Sequence, residues 1–407
     1  MYLSASNIIT ILVILYYILT MMFPSHDDSF QGYRIFPQVT MGVICLYCLW
    51  IAVNKCRMIL QVKLFRPFFI LMVMGLVYVF LTGSVIAVLD NFLTYLTTYM
   101  SILFMFALYV HLDADEEMAK RNIYIIFCMQ ILFAFYQLYL DLIVGYAIDM
   151  RRGGIHDSHA GFILECCLPF ALILPIKRLR LYIYILLFLG TIYCGQRTAA
   201  LVAIATLPFC FGYLRQSIKK SDIVILSILF VVAIIPVVML AVNNLATRHQ
   251  YDMRSGSIGS GRQIFWAIIW NHFWNNDLLY ILFGSGYGSV QALLKRTFGA
   301  SILSHNGWLD YMYMYGLGGL VLFVRSLISL VICNKKVNAV LIQYKNILLI
   351  IFILFIVKCS SSHGNWDISV MPIAMTLAII MHDYTKAETE KEDELKDTQN
   401  DTIEVGS

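Results

Sequence analysis

Charge is scarce in this sequence. Of its 407 residues only 13% are Asp, Glu, Lys or Arg, against 60% that are hydrophobic. A soluble domain is about a quarter charged. With a mean hydropathy of +0.76, the chain is excluded from the soluble class and reads as a polytopic membrane protein. Other things are missing as well. The ten cysteines show no metal-ligand spacing and no paired framework in a loop; Cys45, Cys48, Cys128, Cys166, Cys167 and Cys210 lie inside apolar runs and read as small hydrophobes. No internal repeat is evident. No cleavable leader is required, because the run Ile8 to Phe23 can act as signal and first span. The net charge of +4 collects in loops on one side and carries no argument for nucleic acid.

What is present is a series of apolar runs near the roughly 20 residues that cross a hydrocarbon core. About twelve are counted, at 4–23, 36–54, 66–84, 91–110, 122–141, 160–176, 179–196, 198–214, 222–242, 307–332, 346–359 and 367–382. The expected fold class is therefore an all-α polytopic membrane protein. It divides into a first bundle of about nine spans (1–242), one large loop with short helices (243–306), three last spans (307–383) and a charged, disordered tail (384–407). Lys and Arg collect in alternate loops: Lys55, Arg57, Lys63 and Arg66; Lys120 and Arg121; Lys177, Arg178 and Arg180; Arg215, Lys219 and Lys220; Lys335, Lys336 and Lys345. The positive-inside rule makes that side cytoplasmic, with both termini on it.

The opposite loops hold few cations: Arg151, Arg152, Arg197, Arg248, Arg254 and Arg262. Their placement runs against the charge bias, so an anionic ligand on the outer face, or snorkelling to lipid phosphates, has to explain them. The long loop predicts helices over Gly261–Trp274 and around Ser289–Phe298. Trp266, Trp270 and Trp274 recur every fourth residue, which reads as an interface anchor rather than a sugar platform. Gly284, Gly286 and Gly288 read as a turn; no Lys-Ser/Thr follows to make a phosphate loop. The imidazole of His305 can act as a base at neutral pH, or pin the start of the tenth span. Gly316, Gly318 and Gly319 read as a small-residue packing face. His156 and His159 lack a third metal ligand. Asp157 and Glu165 are candidates to orient an acceptor, and His363 with Asp367 reads as a satisfied loop pair.

Several of these residues resemble one family. His305-Asn306, nine residues, then Gly316 with Gly318 and Gly319 is similar to the His-Asn…Gly signature of bacterial O-antigen ligases and O-antigen polymerases. Arg197, three residues, then Leu201 resembles the Arg-x-x-x-Leu motif of that family. Ser260-Gly261-Arg262 followed by Trp266 resembles the basic element of its periplasmic loop. The resemblance covers the whole layout and implies a GT-C-like fold in the bacterial inner membrane, with the active site on the periplasmic face. It implies a glycan donor on undecaprenyl pyrophosphate and an acceptor that is a lipid-linked repeat unit or a lipid A core. His305 would be the catalytic base of an inverting transfer. Arg197, Arg262, Arg254, Arg151 and Arg152 would hold the pyrophosphate, since guanidinium groups pair bidentately with phosphate oxygens. Asn306, Gly316, Gly319 and Leu201 would be structural. No cofactor and no metal are implied, and no carboxylate pair or Asp-x-Asp accompanies these residues to hold one. Membrane lipids are partners, and a polymerase leaves room for a chain-length regulator.

The polymerase reading is favoured over the ligase because polymerases are the more numerous and diverse. A transporter of lipid-linked sugars stands as the alternative from another class. It should show charged or broken helices and inverted repeats.

Overall fold

An apolar segment that must satisfy every backbone group internally has the helix as its solution. The computed structural model describes residues 4–23, 33, 35–80, 85–151, 160–217, 239, 242, 262–299, 304–361 and 366–404, and among them there is no strand. In chain order the helices are α1 (Ala5–Met22), α2 (Ile35–Asn54), α3 (Cys56–Gln61), α4 (Phe65–Phe80), α5 (Val85–Thr98), α6 (Met100–Ala114), α7 (Glu116–Arg151), α8 (Ala160–Ile173), α9 (Lys177–Tyr193) and α10 (Arg197–Ser217). They continue as α11 (Arg262–Trp274), α12 (Leu278–Phe283), α13 (Ser289–Phe298), α14 (Gly307–Val340), α15 (Ile347–Ser361) and α16 (Met371–Glu404). Short 3-10 turns cover Ile342–Tyr344 and Ile368–Val370.

Polar residues mark the helix starts. Ser4 caps α1 by accepting from the Asn7 N–H at 3.3 Å. Asp115 accepts from the Met118 N–H at 3.1 Å, and Glu116 and Glu117 follow in the first turn of α7, where the helix dipole favours negative charge.

α6, α8 and the first half of α16 are buried almost all round, as expected of helices that are hydrophobic on every face. The surrounding helices turn Ile11, Trp50, Val77, Leu132, Ile204, Val321 and Ile332 outward. An exposed apolar surface of that extent suits a hydrocarbon environment. The chain is thus a helical membrane protein. Six described helices are long and apolar enough to cross a membrane, or seven when the bent α5–α6 pair forms one span. The expected twelve exceeds this count. The difference lies in shorter helices, such as α4, α8 and the apolar part of α10, and in 222–242, of which only residues 239 and 242 are described.

Among the described residues, the basic segments around Lys63, Lys120, Arg180 and Lys336 share one end of the bundle. Ser4 meets Met118, and Tyr47 donates to the Ala5 carbonyl. Lys63 and Lys336 lie near Cys333, and Arg180 and Lys120 near Tyr124. At this end Lys120 bonds Glu116 at 2.8 Å and Asp383 at 2.9 Å, Lys386 bonds Glu116 at 2.8 Å, and the Tyr344 hydroxyl donates to Asp383 at 2.5 Å. The start of α7, the α14–α15 connection and α16 are clamped together there.

Two of the described spans are broken. The expected run 91–110 is two helices, α5 and α6, bent by 64° around Tyr99. The break is filled from far away in sequence: the Ser101 N–H donates to the Trp366 carbonyl at 2.8 Å, and the Ser101 hydroxyl to that of Asp367. α14 breaks at Gly316, with φ 68° and ψ −170°. Gly316, Gly318 and Gly319 all pack closely, the first two against the Leu282 main chain and the third against Met74, and Gly316 is also the left-handed break. Buried tyrosines lie between the two breaks, with the Tyr99 hydroxyl donating to that of Tyr315 at 3.2 Å.

The tail corrects a second expectation. Residues expected to be disordered from 384 onward continue α16 to Glu404. The physical reason is composition: Glu and Lys are good helix formers, and pairs such as Lys386 with Glu390 fall four residues apart on one face.

Candidate functional site

At the end of the bundle away from Lys120, a tight turn precedes α14. Ser304 is fully buried; its hydroxyl accepts from the Asn306 N–H at 2.9 Å and donates to the Asn306 carbonyl at 3.1 Å. The Asn306 side-chain oxygen caps α14, accepting from the N–H groups of Trp308 at 3.1 Å and Leu309 at 3.2 Å. Between them His305 sits half-buried at φ 57°. A left-handed residue other than glycine is uncommon, and such strain gathers at functional positions. Helix capping therefore falls to Asn306, and the His305 ring is held on the tip of a turn fixed from both sides.

The segment before this turn docks onto it. α11 and α13 bury Ile269, Phe273, Val290 and Leu294 against Met312 and Tyr313 of α14, a small apolar cluster of its own. α11 and α13 follow the expected helices closely. The Trp266 indole donates to the Ser304 carbonyl at 2.8 Å, which brings α11 directly beside His305. Arg262 stands four residues earlier, on the same face of that helix. Trp270 and Trp274 are exposed and meet edge to face at 5.6 Å. Gly284, Gly286 and Gly288 all have positive φ and form the expected turn. It is bonded to the broken part of α14: the N–H groups of Ser285 and Gly286 donate to the carbonyls of Tyr313 and Met314, each at 2.9 Å.

Arg197 begins α10 immediately after a turn at Gly195, φ 70°. That turn packs on the start of α8, where a Cβ on Gly161 would lie 3.1 Å from the Cβ of Cys194 and 3.4 Å from that of Gln196. Leu201 is 54% exposed. The side chains of Arg197 and Arg151 are outside the described residues, as are Arg152, Arg254, His156, Asp157, His159 and His363 altogether. Asp367 caps a 3-10 turn through the Ser369 N–H at 2.9 Å.

One functional candidate is absent from the motif pattern. Lys358, in α15, is 4% exposed and pairs with fully buried Glu165 of α8 at 3.2 Å. The Cys166 sulfur lies 3.7 Å from the ammonium, and the Phe162 ring 5.3 Å. A lysine inside the apolar run 346–359 was the available signal. A buried membrane charge is a functional candidate by default.

A second polar group occupies the opposite end. Glu116, His382 and Asp383 bring ligand-type atoms within 4.8 Å of one another, beside a cavity of about 360 Å³ lined by Tyr109, Asp113 and Thr385 among others. Lys120 and Lys386 already neutralise both carboxylates, so this is an ion-pair clamp.

Compared with known proteins, the chain matches no family model and no curated sequence.

Proposed function

We propose that this chain is a polymerase-type glycosyltransferase of the bacterial plasma membrane, working on the outer face. It transfers glycan from undecaprenyl pyrophosphate to the hydroxyl of an acceptor sugar, with inversion and without a metal. The single observation that supports this most is His305, half-exposed on a strained, doubly anchored turn beside the helix that carries Arg262. In this reading His305 takes the proton from the acceptor hydroxyl as the oxygen attacks the anomeric carbon. Arg262 and Arg197 stabilise the charge that develops on the departing pyrophosphate. Arg254, Arg151 and Arg152 are further cations for the same anion.

In a strain lacking the gene, His305→Ala should lower polymer formation by on the order of 10²- to 10⁴-fold. Wild-type polymer from that variant would end the catalytic assignment. The glycan profile of the null strain separates the family members. Single repeat units on the surface acceptor support a polymerase; long glycan stranded on the carrier points instead to the ligase.

A transporter of lipid-linked glycan is favoured by different observations, namely the buried Glu165–Lys358 pair and the breaks at Tyr99 and Gly316. Carrier-linked single units trapped on the cytoplasmic side would select that reading.

A further inference from the structure

Among the described ion pairs, Glu165 with Lys358 differs from the rest in being wholly interior. Glu165 is 0% exposed and, among the described residues, its Oε2 has no hydrogen-bond partner. Such a pair is a poor source of stability, because desolvating two charges offsets most of their attraction; apolar residues of similar volume usually do as well or better. Its position gives it another use. Glu165 lies one turn along α8 from Gly161, on the same face, and Gly161 is the residue against which the Cys194–Ala199 turn packs on its way into Arg197. Lys358 lies two residues before Ser360 of α15, whose hydroxyl accepts from the Trp308 indole at 3.1 Å. Trp308 is in the first turn of α14, bonded by its own N–H to the Asn306 cap next to His305. α10 also packs along both α8 and α15.

We propose that Glu165 and Lys358 are a positioning pair: their ion pair sets the separation between the turn that carries Arg197 and the turn that carries His305. One charge is fixed to each half of the site. A charged contact has a narrower preferred distance and direction than an apolar contact of the same volume, which can slide. This inference rests on the glycosyltransferase reading for its catalytic consequence, though not for its geometry.

The decisive variant is the double Glu165→Met, Lys358→Met. Removing one partner alone leaves an uncompensated buried charge and should prevent accumulation of folded protein; removing both should not. The double variant should reach the membrane at wild-type level and melt cooperatively, yet form polymer more slowly by on the order of 10²-fold. The exchanged pair, Glu165→Lys with Lys358→Glu, should recover part of that loss.

A second readout does not depend on transfer. Spin labels introduced as noncanonical residues at Leu201 of α10 and Ile264 of α11, both exposed, report the spacing of the two halves in nanodiscs. The distance distribution should be narrow in the wild type and the exchanged pair, and broadened or shifted in the double methionine variant. Wild-type spacing in the double methionine variant overturns the proposal, and wild-type transfer from it does the same. If even the wild type transfers no glycan, the glycosyltransferase reading fails while the distance measurement still decides the pair.

Discussion

Gly316 and Gly288 share a left-handed backbone and differ in their surroundings. A Cβ on Gly288 meets nothing within 4 Å, whereas one on Gly316 would overlap the Leu282 carbonyl and the Gly284 N–H. Gly288→Ala should therefore cost only the left-handed penalty, about 1 to 2 kcal/mol. Gly316→Ala adds a clash with main-chain atoms that no rotamer relieves, and should abolish the folded form. Thermal melts of the purified protein in detergent check the contrast; equal shifts would mean that the loop does not approach α14 this closely. At this scale the sequence was partly readable. His305 and Asn306 stood out as a polar pair between apolar stretches, and their turn is where they indicated. The role of Gly316 was not readable, since its neighbour at Leu282 is more than thirty positions away. Lys358 was visible as a lone cation in an apolar run, but its partner on α8 was not.

At the scale of elements, α11, α12 and α13 form a unit that docks on α14 through side chains at one end and main chain at the other. Phe273 is 1% exposed within the cluster between α11, α13 and α14. Phe273→Ala should cost about 3 to 5 kcal/mol, felt by the docked unit rather than by the bundle. Limited proteolysis should then cut within 262–299 much faster while the main melting transition stays in place. A single transition moving downward, without new cleavage, would make loop and bundle one cooperative body. Apolar periodicity located most of these elements because each needs its own continuous run. It located breaks poorly. The 64° bend at Tyr99 has no proline or glycine to announce it; what stabilises it is the Trp366 carbonyl, contributed by a segment at the far end of the chain. The tail failed for the opposite reason. Its charge resembles disorder, while its helix propensity and the tether of Lys386 to Glu116 favour continuation.

For the whole molecule, the clamp at the Lys120 end makes stability depend on pH. Glu116 and Asp383 lie beyond the apolar stretches 122–141 and 367–382. Hydrogen bonds from Lys120 and then Lys386 hold the Glu116 carboxyl at about 2, below its ordinary 4.5. Burial would raise Asp383, but hydrogen bonds from His382, Tyr344 and Lys120 outweigh it and hold this group too at about 2, below 3.8. Both folded-state values are depressed, so their contribution is complete above about pH 4.5 and is lost as pH falls toward 2. The melting temperature should be flat above that range and decline within it, and Glu116→Gln should flatten part of the decline. A slope that Glu116→Gln leaves untouched would remove this residue from the clamp.

The bonds from Ser285 and Gly286 to the carbonyls of Tyr313 and Met314 are made entirely by backbone atoms. An attachment of that kind has no side-chain vocabulary. Apart from the glycines that permit the close approach, residues along the strap can drift without loosening it. The contact between this turn and the break in α14 can thus persist through extensive change in the side chains around it.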